Sequence, residues 1–196
     1  MEKREEKAGL REEAARLIEA LSEDERREKS QAACERLGQV PEVRDAKTIL
    51  LYAPLPDELD VWPALHAFRD AGKRIVLPKC RPRERELTCI EIADFKNDLV
   101  RCSFNILEPK SDDGIDVGEL DAIVVPARAF DREANRLGRG AGYYDRLLSK
   151  TRLDAFTCGI AFDCQIFEAV PTTSHDVPLD AVVTESTLIR RSNPGE

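Results

Sequence analysis

At 196 residues the chain is long enough for one α/β domain with a sizeable core and too short for two ordinary domains, so residues 1–196 are read as one unit. A formal net charge of -8 argues against general nucleic-acid binding, which draws its affinity from Lys and Arg on phosphates. No apolar run reaches the roughly eighteen residues of a membrane span, the N-terminus is too rich in Glu, Lys and Arg for a signal peptide, and the six cysteines form no CxxC pair, so a soluble cytoplasmic protein with reduced thiols is expected.

In chain order, residues 2–20 carry Leu10, Ala14, Leu17, Ile18 and Leu21 at spacings of three and four, the pattern of an amphipathic helix. Ser22 and Glu25 have capping-box spacing and predict a second helix through Ala32, Ala33 and Leu37, stopped by Gly38 and Pro41. Short apolar runs follow at Thr48 to Ala53, Arg74 to Leu77 and Ala122 to Val125, which read as buried strands. Between the first two, Asp60 predicts a helix cap, Val61, Trp62, Leu65 and Phe68 an apolar face, and Gly72 an end.

This β-α-β unit implies a parallel sheet. Leu87 to Ile92 suits an edge strand, and Ala155 to Ala161 with Ala181 to Thr184 supply further strands. The expected fold is a three-layer α/β/α sandwich with a mostly parallel, Rossmann-like sheet and N-terminal helices, its last residues, Ser192 to Glu196, forming a tail.

The stretch VVPARAFDREANRLGRGAGYYDRLL, Val124 to Leu148, follows a strand and runs into a helix, so its middle is a loop at the C-terminal edge of the sheet. Five arginines (Arg128, Arg132, Arg136, Arg139, Arg146) make it locally positive within an acidic chain. Gly138, Gly140 and Gly142 let the backbone adopt positive φ and bring its amides to a ligand, which suits phosphate oxygens. Arg136 and Arg139 add charge-assisted donors, and a helix starting near Gly142 or Tyr143 adds its amino end. Asp145, one turn in, is where a carboxylate can hold Mg²⁺. Each feature alone is an ordinary turn or a dipole partner; the combination points to phosphate. It is not a Walker loop, since no GxxxxGK[ST] occurs.

The run from Arg136 to Arg146, RLGRGAGYYDR, closely resembles the signature of the 5-formyltetrahydrofolate cyclo-ligase family. Weaker matches keep family order: Lys7 and Arg11 in KAGLR, Asp57 to Asp60, Asn105 to Pro109 in NILEP, Gln165, and His175 with Asp176. The resemblance implies an ATP- and Mg²⁺-dependent enzyme that phosphorylates the formyl oxygen of 5-formyltetrahydrofolate and closes it to 5,10-methenyltetrahydrofolate.

It implies ATP contacts from Lys7, Arg11, Arg136, Gly138, Arg139, Gly140, Ala141, Gly142, Tyr143 and Tyr144. It implies folate contacts from Ala53, Glu58, Arg139, Tyr143 and Tyr144, catalytic roles for Arg139 and Tyr144, and metal binding by Asp145 and Asp176. The partners implied are these small molecules, with no nucleic acid or membrane, on a monomer or weak dimer. The chain departs from the family pattern at Ala127, Arg128 and Ala134, and Leu87 or Cys89 fills the region of a usual methionine. A non-catalytic nucleotide- or folate-binding relative, and a ligase or kinase for another small formyl or amide compound, are the alternatives.

Overall fold

The computed structural model describes residues 2–102 and 107–192; Asn105, Ile106 and the tail beyond Ser192 lie outside the described residues. Helices α1 (Glu2–Glu19) and α2 (Glu23–Gln39) lead the chain. The expected capping box opens α2: Ser22 Oγ accepts from the Glu25 amide at 3.2 Å, and Glu25 Oε2 accepts from the Ser22 amide at 2.8 Å. Gly38 does not end the helix. The chain breaks at Val40, which is extended, and Pro41 then starts a short α3 (Pro41–Asp45), where a residue without an amide proton loses nothing.

Strand β1 (Thr48–Leu50), helix α4 (Trp62–Asp70) and strand β2 (Arg74–Arg81) form the expected parallel unit, with Ile49 opposite Ile75. Asp60 works one residue ahead of its expected place, since Val61 is the helix cap and Asp60 Oδ1 accepts the Trp62 amide at 2.9 Å. Strand β2 runs past Leu77 because its far end pairs with the edge strand β3 (Glu86–Ile92) as an antiparallel hairpin. That extension is half-buried and polar, so an apolar-run reading does not see it. Strands β4 (Leu99–Arg101) and β5 (Leu107–Pro109) make a separate antiparallel pair.

Strand β6 (Ala122–Val125) matches its expected bounds and is followed by a small hairpin, β7 (Ala129–Phe130) with β8 (Arg136–Leu137). Helix α5 (Tyr143–Leu148), β9 (Phe156–Ile160), β10 (Ala181–Val183) and β11 (Leu188–Arg190) complete the chain. The main sheet has seven strands in the order β11-β10-β9-β6-β1-β2-β3, parallel except for the two antiparallel edges, β3 and β11.

Side chains alternate across this sheet. Ile49, Ile75, Val124, Ile160 and Val183 face α2, α3 and α4 through Leu37, Val43, Leu65 and Phe68. Leu50, Val76, Ile123, Val125 and Val182 face the other way, against Leu147 and Leu148 of α5, Leu120 and Phe130. The three layers are those expected, with the second outer layer built from one six-residue helix and irregular chain.

The hairpin of β7 and β8 matters most to the site. Phe130 is fully buried over Gly159 of β9, at a point where any Cβ would overlap its ring. Between the two strands the buried Asp131 organises the turn. Its Oδ1 accepts from the Glu133 amide (3.1 Å) and the Asn135 amide (2.9 Å), and its Oδ2 from Asn135 Nδ2 (2.9 Å) and the Val170 amide (3.0 Å). These bonds hold Ala134 at φ 58°, a left-handed conformation that costs a residue with a Cβ about 1 kcal/mol. Asp131→Ala leaves buried amides without acceptors and is expected to destabilise the protein by about 3 kcal/mol, lowering Tm by roughly 6–12 °C. A thermal melt within 2 °C of wild type, on the order of the smallest such effects, would show that the turn holds without it.

Candidate active site

Strand order reverses at β1. The chain leaves β1 for β2 and β3 on one side, then returns to β6 on the other side and continues to β9, β10 and β11. The carboxyl ends of β1 and β6 therefore flank the crevice where ligands of open α/β sheets bind. A cavity of about 450 Å³ opens there, within the usual size for small-molecule sites.

Every residue nominated from the sequence lines this one cavity: Lys7, Arg11, Ala53, Glu58, Arg136, Gly138, Arg139, Gly140, Ala141, Gly142, Tyr143, Tyr144, Asp145 and Asp176. Leu55, from the Pro54 to Asp57 loop that the resemblance places near the pterin, also lines the wall, as do Tyr52, Pro78 and Cys80, which the sequence reading passed over. Tyr52 lies within the apolar run Thr48 to Ala53, two residues past the end of β1, so the strand-end rule alone would have found it. Leu87 lines the cavity, whereas Cys89 is buried in the second core.

The glycine loop divides its work. Gly140 and Gly142 have φ of 103° and 68°, whereas Gly138 needs no unusual backbone and leaves open space where a side chain would stand. Arg136, on β8, has its side chain 3% exposed. Its Nη2 donates to Asp145 Oδ1 at 2.6 Å and its Nη1 donates to the Val177 carbonyl. Asp145 Oδ1 also accepts the Val177 amide at 3.2 Å, so β8, α5 and the segment before β10 close on one another.

Helix α1 lies across the loop. Arg11 Nε donates to the Gly138 carbonyl at 2.8 Å, and Lys7 Nζ reaches Asp176 Oδ2 at 2.7 Å across 169 residues of sequence. Asp176 Oδ2 also accepts the Thr173 amide and hydroxyl at 2.7 and 3.1 Å. Burial pushes the Asp176 carboxyl up, but Lys7 and Thr173 outweigh it and hold the group below its ordinary value. On the opposite wall, Arg139 donates twice to Glu58 Oε1 at 3.2 Å, while Glu58 Oε2 accepts the Leu55 amide at 3.0 Å.

The two tyrosines separate. Tyr144 packs its ring on the second core, and burial raises its phenol. Tyr143 has its phenol raised by the neighbouring Cys80, and its ring lies 5.4 Å from the Arg146 guanidinium. Among the described residues no group of three or more His, Cys, Asp and Glu could cage a metal. Asp145 and Asp176 both line the cavity and are the carboxylates that could hold a Mg²⁺, an ion that commonly keeps several waters as ligands.

The sequence profile of the 5-formyltetrahydrofolate cyclo-ligase family matches residues 3–185. The chain belongs to that family. It is 35% identical over 170 residues to the Escherichia coli K12 5-formyltetrahydrofolate cyclo-ligase, covering 85% of this chain and 93% of that one. To the Mus musculus 5-formyltetrahydrofolate cyclo-ligase it is 28% identical over 189 residues, covering 91% and 93%. The solution structure of Aquifex aeolicus 5,10-methenyltetrahydrofolate synthetase superposes with a TM-score of 0.84 at 33% identity, over 97% of this chain and 95% of that one.

Within this family frame, the ion pair of Lys7 and Asp176 is what fastens α1 to the far wall. A carboxyl held below its unfolded pKa adds stability at pH above about 4, and that stability is lost as pH falls through the lower folded value. Lys7→Met should therefore be less stable than wild type at pH 7 by roughly 1 kcal/mol, with the gap closing below about pH 4. Denaturant melts at both pH values check this; a gap that persists in acid would mean Lys7 stabilises through something other than Asp176.

Proposed function

We propose that the chain is an ATP- and Mg²⁺-dependent 5-formyltetrahydrofolate cyclo-ligase, producing 5,10-methenyltetrahydrofolate, ADP and phosphate. The observation that carries the reading is convergence: the family signature, the two cations of α1 and both acidic candidates line a single cavity at the strand-order reversal.

In this reading Lys7, Arg11, Arg136 and the amides of the glycine loop hold the triphosphate, and Arg139 stands between phosphate and folate. Glu58 binds the folate; a carboxylate accepting from Arg139 and Leu55 still has lone pairs to spare. Ala53, Tyr143 and Tyr144 shape the folate end. Arg139 and Tyr144 are the catalytic candidates, Arg139 by charge and Tyr144 as a neutral donor beside the reacting oxygen.

The formyl oxygen attacks the γ-phosphorus and ADP leaves; the second folate nitrogen then attacks the formyl carbon, loses its proton, and phosphate departs with the oxygen. The substrate supplies both nucleophiles, so the side chains mainly position groups and stabilise charge. Neither His66 nor His175 lines the cavity, which agrees with that demand.

Charge also supports the metal. Lys7, Arg11, Arg136 and Arg139 are balanced along the wall by Glu58, Glu108, Asp145 and Asp176, so the cavity carries no surplus for a triphosphate. When bound by Asp145 and Asp176, Mg²⁺ would supply the positive charge that the phosphate oxygens need. The same reading makes the chain a cytoplasmic monomer or weak dimer, with its six cysteines outside any disulfide.

Purified protein mixed with 5-formyltetrahydrofolate and Mg-ATP is expected to develop the long-wavelength absorbance of the methenyl product only when both ATP and magnesium are present. Absence of that rise from folded protein that still binds ATP would point to another acceptor or to a binding module. Asp145→Asn keeps an oxygen for Arg136 and the Val177 amide and so should keep the fold, while turnover falls by about 100-fold or more. Wild-type turnover in that variant would remove Asp145 from the metal site.

A further inference from the structure

Arg128 is one of the positions where the chain departs from the family pattern, and it does not line the cavity. Three bonds nevertheless fix it. Its amide donates to the Leu137 carbonyl at 2.8 Å, its carbonyl accepts from Gln165 Nε2 at 3.1 Å, and its guanidinium donates through Nη2 to Asp57 Oδ2. Gln165 is itself buried and donates to the neighbouring Ala127 carbonyl at 3.0 Å, so the backbone under Arg128 is clamped to the segment after β9. The side chain is 16% exposed, well sheltered for an arginine.

The second oxygen of Asp57 accepts from Arg139 Nη2 at 2.5 Å, and Arg139 in turn donates to Glu58. Asp57 thus gives one oxygen to each arginine. A guanidinium beside a free carboxylate prefers to take both oxygens in parallel. With Oδ2 drawn to Arg128, the two guanidinium groups compete for Asp57 and the parallel arrangement is less favourable for Arg139, which also leans on Glu58. Without Arg128 the fork of Arg139 can rotate onto both oxygens of Asp57 and leave Glu58. The local charge would also fall from balanced to net negative, beside a site for anionic ligands.

We propose that Arg128 is a positioning residue: by occupying one oxygen of Asp57 it keeps Arg139 divided between Asp57 and Glu58, and so sets the folate end of the cavity. The inference rests on the reading of Glu58 as a folate-binding group. It predicts a loss that falls more heavily on folate than on ATP, because Lys7, Arg11 and Arg136 at the phosphate end do not run through Asp57 and only Arg139 is shared.

Steady-state kinetics of the full chain test this, with each substrate varied in turn. Arg128→Met should raise KM for 5-formyltetrahydrofolate about tenfold, the effect of one lost charge-assisted hydrogen bond, and lower kcat with it because Arg139 shifts, while KM for Mg-ATP changes by no more than about threefold. Arg128→Lys, which returns a cation to Asp57, should recover most of the loss. In an Asp57→Asn background, Arg128→Met should add less than about twofold, because the partner it acts through is already altered. Glu58→Gln is the companion variant and should raise the folate KM by at least the same factor.

A folate KM unchanged in Arg128→Met while Glu58→Gln raises it would overturn the role of Arg128. So would equal losses for both substrates, or a loss that Lys does not rescue. An unchanged folate KM in Glu58→Gln would remove the folate reading itself and the inference with it. Should Arg128→Met not fold, Arg128→Lys and Asp57→Asn alone decide: unaltered folate KM in Asp57→Asn overturns the proposal.

Discussion

A guanidinium taken almost wholly out of water must be answered on every side, and Arg136 is the constraint around which the site is built. Its two outer nitrogens meet Val177 and Asp145, and Asp145 meets Val177 in return. Breaking one member of such a ring leaves a buried charge or acceptor unmatched, which costs more than the intact pair contributes. Strand β8, helix α5 and the segment around Val177 are thereby locked in one arrangement. Val177 brings Asp176 with it, Asp176 fastens Lys7, and Lys7 with Arg11 holds α1 across the glycine loop. The donors that the proposed function assigns to phosphate stand in place before any ligand arrives, so little is spent on ordering them.

The other end of the cavity is organised differently. Arg139 and Asp57 are each 40% exposed, and they are held by charge pairing at the mouth rather than by burial. Such pairs are weaker singly than a buried one and more responsive to a neighbour. Under the proposed function, the end assigned to phosphate is the buried one and the end assigned to the acceptor is the exposed one. Two of the departures seen here, Ala127 in the wall and Arg128 behind it, fall on the acceptor side.

Much of this was legible in the sequence because burial writes periodic signals. The strand bounds of β6, the capping box at Ser22 and Glu25, and the β-α-β unit follow from apolar runs and turn chemistry alone. The second half of β2 and the strands β4, β5, β7, β8 and β11 were not legible; they are short or half-polar, and pairing decides them rather than their own apolar pattern. At the site, the cluster from Arg136 to Asp145 was readable by local spacing, whereas Lys7 and Asp176 became candidates only through the family resemblance. Contact across 169 residues leaves no local trace. Ala134 was readable as a missing glycine, but its left-handed backbone was not.

The titratable groups on the wall set what chemistry the cavity can perform. Tyr144 is pushed up by burial, Tyr143 by the neighbouring Cys80, and Tyr52, fully enclosed and donating to the Leu59 carbonyl, by desolvation. At neutral pH all three phenols are donors. Asp176 lies low and is an acceptor. General-base catalysis would need a group poised near the working pH, and these shifts move each of these groups away from it. What remains is a set of positive and neutral donors and paired carboxylates held in place around the cavity, which suits a reaction whose nucleophiles come with the substrate and whose barrier lies in the charge of a moving phosphoryl group.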